Sequence, residues 1–154
     1  MTSSGLNVVA FGGGLSLAAA IDSNGVGAYI GMQISFLDGL AAPVLVLATV
    51  TLVIFLTELT SNLATTATML PILAGLGPVV GVDPFLLIIP ATLAASCAFM
   101  LPVATPPNAI VFGSEQLSIS HMARAGLALN VMGVLLITLV MYGVVLPLGI
   151  VGRL

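Results

Sequence analysis

Residues 57–62 read Thr57-Glu58-Leu59-Thr60-Ser61-Asn62 and stand between two apolar runs, Ala42 to Leu56 and Leu63 to Leu76. The fold turns on what a polar stretch does in the middle of such sequence. Each run holds about 14 or 15 residues, so as a helix it reaches about 20 to 22 Å, short of a hydrocarbon core roughly 30 Å thick. Two short arms and a polar tip predict a re-entrant helical hairpin over 42–76, with its tip at 57–62. Extending the first run back to Gly39 gives the alternative, a single complete span with Glu58 at its far surface. Length alone leaves both open.

A second interruption has the same form. The apolar run from Pro84 to Leu101 meets Pro102-Val103-Ala104-Thr105-Pro106-Pro107-Asn108, and apolar character resumes in Ala109 to Phe112. Tandem prolines remove backbone donors and are expected to force Thr105 and Pro106 out of the α region, so 84–113 reads as a broken helix. Its freed carbonyls need protein, water or an ion. The run within 125–150 is the plainest full span. Toward the N-terminus, 6–37 reads as a Gly-rich helix broken at Asp22-Ser23-Asn24-Gly25 and continued by a weaker, interfacial stretch. Gly12-Gly13-Gly14 lacks phosphate-loop spacing, and close helix packing through Gly14 and Ala18 is the better account.

Composition supports membrane residence. Of 154 residues 60% are hydrophobic and 5% charged, with mean hydropathy +1.32, where a soluble domain carries about 25% charged residues. The chain therefore reads as an all-α polytopic membrane protein. Its two basic residues, Arg124 and Arg153, give no cationic surface for phosphates, which excludes nucleic-acid binding. They flank the last span at opposite ends and so choose no orientation. Cys97 is the only cysteine and His121 the only histidine, with no carboxylate three or four positions from the latter. Disulfide, zinc and hydrolase readings fall away, and an enzyme has no nucleophile with a base beside it. The start Met1-Thr2-Ser3-Ser4 lacks the basic region of a signal peptide and reads as structure.

Irregular backbone at membrane depth survives only where protein buries it or a cavity wets it, and paired helix breaks are the best pointer to a transporter site. Carbonyls at half-helix C-termini suit Na⁺, while facing N-termini attract an anion. Ser61 and Asn62 have a plainer reading as caps of a half-helix. Glu58 has two readings also, a proton or cation carrier, or a group that holds exposed amides.

The stretch 57–62 followed by Ala64-Thr65-Thr66-Ala67 and Leu70-Pro71-Ile72 resembles the second hairpin tip of the divalent anion/sodium symporter family. Phe11-Gly12-Gly13-Gly14-Leu15-Ser16-Leu17-Ala18 resembles that family's Gly-rich helix, and Ser96 to Val111 its broken penultimate helix. The resemblance implies half of an inverted-repeat transporter, the C-terminal repeat only, in the plasma (inner) membrane. It implies sodium-coupled symport of a dicarboxylate, citrate or sulfate by an elevator-like movement, with Na⁺ as coupling ion and no cofactor. Residue by residue, Thr57, Thr60, Asn62 and Ala104 match sodium-coordinating positions, and Ser61, Asn62, Thr105 and Pro106 match positions at the substrate carboxylate. The implied partners are a small anion, the lipid bilayer, and the N-terminal repeat, supplied as a separate half or a second copy. The family usually writes Ser-Asn-Thr at the tip, whereas Leu63 stands third here and removes a hydroxyl. The rival readings are a non-transporting structural or regulatory subunit, and a proton-coupled carrier using Glu58.

Overall fold

A computed structural model describes residues 41–114, 117–149 and 151, with isolated positions between 16 and 29. Apart from those positions, the Gly-rich segment 6–37 lies outside the described residues. Among the described residues from 41 onward, five α-helices come in order: α1 Ala42–Thr57, α2 Asn62–Val79, α3 Phe85–Ala94, α4 Pro106–Gly113 and α5 Ile119–Val140, the last running on through a π-helical turn, Met141–Val145. No strand occurs among the described residues.

The helices obey membrane rules. α1 is apolar all round: Leu45, Val46, Val50, Val53 and Ile54 are buried, yet Leu47, Leu52 and Phe55 stand exposed on its other faces. A water-soluble helix hides one stripe and shows polar residues elsewhere. α5 repeats the pattern with Met122, Gly126, Asn130, Val134 and Ile137 buried at helical spacing and Leu135, Leu136 and Leu139 exposed. These outward leucines suit hydrocarbon. Threonines within the helices send their hydroxyls back one turn, Thr51 to the Leu47 carbonyl at 2.7 Å, Thr92 to Ile88 at 2.8 Å and Thr138 to Val134 at 2.8 Å. Their polarity is thereby satisfied without water.

The core joins α1, α3 and α5 through Val46, Val50, Ile54, Leu87, Ala91, Ala94, Val134, Ile137 and Met141. α2 adds Leu73 to that core and packs on α3. The turn between α2 and α3 is tight: Gly81 has φ +71°, and a β-carbon on Gly77 would sit 2.8 Å from the Pro84 Cα. Among the described residues, two elements are long and apolar enough to cross a membrane, α2 with 18 residues and Ile119–Val145 with 27.

Several boundaries differ from the sequence expectation for physical reasons. α3 stops at Ala94, well before Leu101, and the non-helical stretch runs from there to Thr105. Three amides of that stretch are taken by a carboxylate from another helix, described below. Pro106 lies inside the α region, contrary to expectation, because it opens α4 with Pro107 behind it. The first helical turn has no intrahelical N–H bonds to lose, so proline starts a helix readily. Only Thr105 keeps the extended backbone, at φ −142° and ψ 153°. α5 begins at Ile119, ahead of Ala125, because the Ser118 hydroxyl accepts from the His121 N–H at 3.3 Å and caps it.

Ser61 caps α2 in the same way, its hydroxyl accepting from the Ala64 N–H at 3.1 Å. Ser61→Ala is expected to cost about 1 kcal/mol. The check is thermal unfolding in anion-free buffer, with Ser61→Asp melting as the wild type does.

Candidate functional site

The two polar interruptions meet at Glu58. This residue, just past the end of α1, is 3% exposed, and its carboxylate is ringed by donors. Oε1 accepts from the Phe99 N–H at 2.8 Å, the Met100 N–H at 2.9 Å and the Asn130 side-chain amide at 2.6 Å. Oε2 accepts from Met100 at 3.1 Å and from the Leu101 N–H at 3.0 Å. All four partners donate to the carboxylate, three through backbone N–H groups. Of the two readings of Glu58, the geometry matches the one that holds exposed amides.

The tip residues divide into two groups. The Thr57 side chain is fully buried, and its hydroxyl reaches two acceptors, Asn62 Oδ1 at 3.0 Å and the Ala95 carbonyl at 3.1 Å. One proton serves both, so an oxygen-rich corner forms where α1 ends, α2 begins and α3 ends. Thr60 turns elsewhere: its hydroxyl donates to the Leu56 carbonyl at 3.0 Å and pairs with Thr65, which is buried. Ser61 is exposed and serves as the α2 cap. Since Ala64 and Thr65 donate to Ser61, the N–H groups of Asn62 and Leu63 are the donors left at the α2 N-terminus.

The second break is ordered by its own side chains. Asn108 donates to the Ala98 carbonyl at 2.9 Å and the Leu101 carbonyl at 3.0 Å, closing the stretch upon α4. Ala104 is buried at 5% exposure and its N–H returns to the Leu101 carbonyl at 3.2 Å. Thr105 caps α4 by accepting from the Asn108 N–H at 3.4 Å, and the Ala109 N–H goes to the Thr105 carbonyl at 3.1 Å. With Pro106 and Pro107 lacking N–H groups, the first turn of α4 offers no donor. An anion there would meet the helix dipole and the Thr105 side chain, not a nest of amides. Of the two helix N-termini, that of α2 is the one with backbone donors to offer.

Of the residues singled out by sequence, Thr57 and Asn62 touch directly. Ala104 connects to them through Leu101 and Glu58. No described hydrogen bond joins Thr60, Ser61, Thr105 or Pro106 to that corner. Sequence reasoning missed Asn130, which is fully buried and delivers the fourth donor to Glu58 from α5. An asparagine midway along an apolar span was the available sign. A cavity of about 210 Å³ beyond the break, walled by Phe99, Val111, Met122, Gly126 and Leu129, is mostly apolar and offers a dianion little beyond Asn108 and His121.

Comparison with known proteins accords with this architecture. A family model described as the transmembrane region of sodium:sulfate symporters matches residues 5–150. Sodium-dependent dicarboxylate transporters SdcS from Staphylococcus saprophyticus and Staphylococcus aureus are each 49% identical to the chain over 144 residues, 93% of its length. The chain spans 28% of the length of these relatives. With nearly all of its residues inside the family's membrane region, the chain is integral to the membrane and belongs to the sodium:sulfate symporter family.

Proposed function

We propose that the chain is the C-terminal repeat of a sodium-coupled carrier of a small divalent anion in the plasma membrane, and that it supplies one half of the binding site. Residues 42–76 form a re-entrant hairpin and 84–113 a broken helix, and their tips meet where cargo binds. Na⁺ is held by Thr57, Thr60, Asn62 and Ala104, largely through backbone oxygens, so the Thr60 hydroxyl is free to pair with Leu56 and Thr65. The anion lies at Ser61, Asn62, Thr105 and Pro106, with the α2 amides donating to its carboxylate. A dicarboxylate is the preferred cargo, the class named in the relatives it matches. An N-terminal repeat, as a separate half or a second copy, completes the site.

The observation that carries this reading is the Thr57 to Asn62 contact at 3.0 Å, which sets two uncharged oxygens beside a helix N-terminus. A hard cation wants oxygens and a carboxylate wants amides, and this corner offers both. Binding of the two is then reciprocal: sodium tightens the anion and the anion tightens sodium by the same factor.

Asn62→Ala is expected to abolish the sodium dependence of anion binding while the chain still folds. Isothermal titration of succinate in Na⁺ and in matched K⁺ measures it. Sodium dependence equal to that of the wild type would defeat the assignment. Leu63 favours the rival reading, a non-transporting subunit, since it offers the anion a backbone N–H and no hydroxyl. That reading expects no anion binding by the wild-type chain in either salt, together with a co-purifying partner.

A further inference from the structure

We propose that Glu58 is a positioning residue that sets the sodium site by tying the hairpin tip to the second helix break. This rests on the reading of Thr57, Asn62 and Ala104 as sodium ligands. Those ligands sit on separate elements, and a site needs them held to within about 0.5 Å of one another. No described hydrogen bond joins Ala104 to Thr57 or Asn62 directly.

The connection runs through Glu58. Thr57 is its chain neighbour. Its Oε2 accepts from the Leu101 N–H at 3.0 Å, and the Leu101 carbonyl accepts from the Ala104 N–H at 3.2 Å. The carboxylate is itself fixed from behind by Asn130 at 2.6 Å, on the buried stripe of α5. Each link is short, and the carboxylate is buried where water competes poorly, so tip and break hold one relative position. Glu58 touches neither cargo in this account. It determines whether the ligands that do are presented together.

Glutamine at 58 has the same shape but a single acceptor oxygen. With that oxygen in the Oε1 place it keeps Phe99, Met100 and Asn130, and its NH₂ then faces the Leu101 N–H, which breaks the link toward Ala104. Aspartate keeps the charge and withdraws it by one methylene. Sodium affinity in both Glu58→Gln and Glu58→Asp is therefore expected to fall about tenfold or more, while succinate affinity at saturating Na⁺ stays within about twofold. An account based on charge alone expects the aspartate variant to behave as wild type.

The experiment titrates Na⁺ and then succinate into the purified full chain and its variants, and follows amide hydrogen exchange over 99–104 and 60–65. Faster exchange over 99–104 with the sodium-specific loss supports the proposal. Sodium affinity unchanged in either variant overturns it, as does an equal loss for both cargoes. If neither variant folds, the wild type decides: Na⁺ is expected to slow exchange in both segments together, and slowing over 60–65 alone overturns the proposal. Failure of the underlying reading looks different, because there the wild type shows no response to Na⁺ or Asn62→Ala retains it; either outcome also removes this proposal.

Discussion

Glu58→Ala is expected to lower the stability of the folded chain by about 3 to 5 kcal/mol, the scale for several buried donors losing their acceptor at once. The gap left by the side chain is the smaller part of the loss. The larger part comes from stranding three backbone N–H groups and the Asn130 amide in a place where the carboxylate alone receives them. Each buried donor left without a partner costs about 1 to 3 kcal/mol, and water reaching the gap recovers some of it. The stretch from Ala95 to Thr105 should then lose its fixed path. Thermal unfolding in detergent and the monodisperse yield from size exclusion are the measurements. A melting temperature within a degree of wild type would show that the amides find other partners and that the two breaks are held together by something else.

The second large effect is expected at Gly126. A β-carbon there would lie 2.3 Å from the Phe99 carbonyl oxygen and 2.5 Å from the Met100 Cα. Those atoms are backbone, and the loop that carries them is pinned by Glu58, so it yields only by giving up hydrogen bonds. Gly126→Ala should therefore destabilise by about 3 kcal/mol or more, the upper end for overpacking, despite the roughly 1 kcal/mol that alanine gains over glycine within a helix. Gly133 on the same helix provides the control. Its added β-carbon would meet Ile54 Cδ1 at 3.6 Å and Cys97 Cβ at 3.8 Å, ordinary contacts. Gly133→Ala is expected to leave the melting temperature level or raise it. Equal melting of the two variants would contradict the close approach of α5 to the second break.

Much of this organisation is legible in the sequence because hydrocarbon solvent is strict. Charge-free apolar runs give the helices, and Thr57 to Asn62 and Pro102 to Asn108 give the breaks, since polar residues and prolines at such depth need a reason. The caps are local as well: Ser61, Thr105 and Ser118 each accept from the N–H three residues on. The end of α3 was hidden. Ala95 to Leu101 is as apolar as the helix before it, and what stops the helix there is a carboxylate more than 40 residues away in sequence. Asn130 was hidden for the same reason, because its task depends on which face of α5 meets Glu58. The role of the tandem prolines was also a tertiary matter. Read alone they signal a break, and in the fold they begin α4 and strip its first turn of donors, leaving α2 to offer amides.

The central claim is that the two breaks form a site for Na⁺ and a small dianion acting together. Its most direct test is the thermal stability of the detergent-purified chain in Na⁺ against matched K⁺, with and without succinate, citrate or sulfate. The expected result is a higher melting temperature in Na⁺ that one anion raises further, with that anion having no effect in K⁺. Melting curves that coincide in the two salts, with and without every anion, would contradict it.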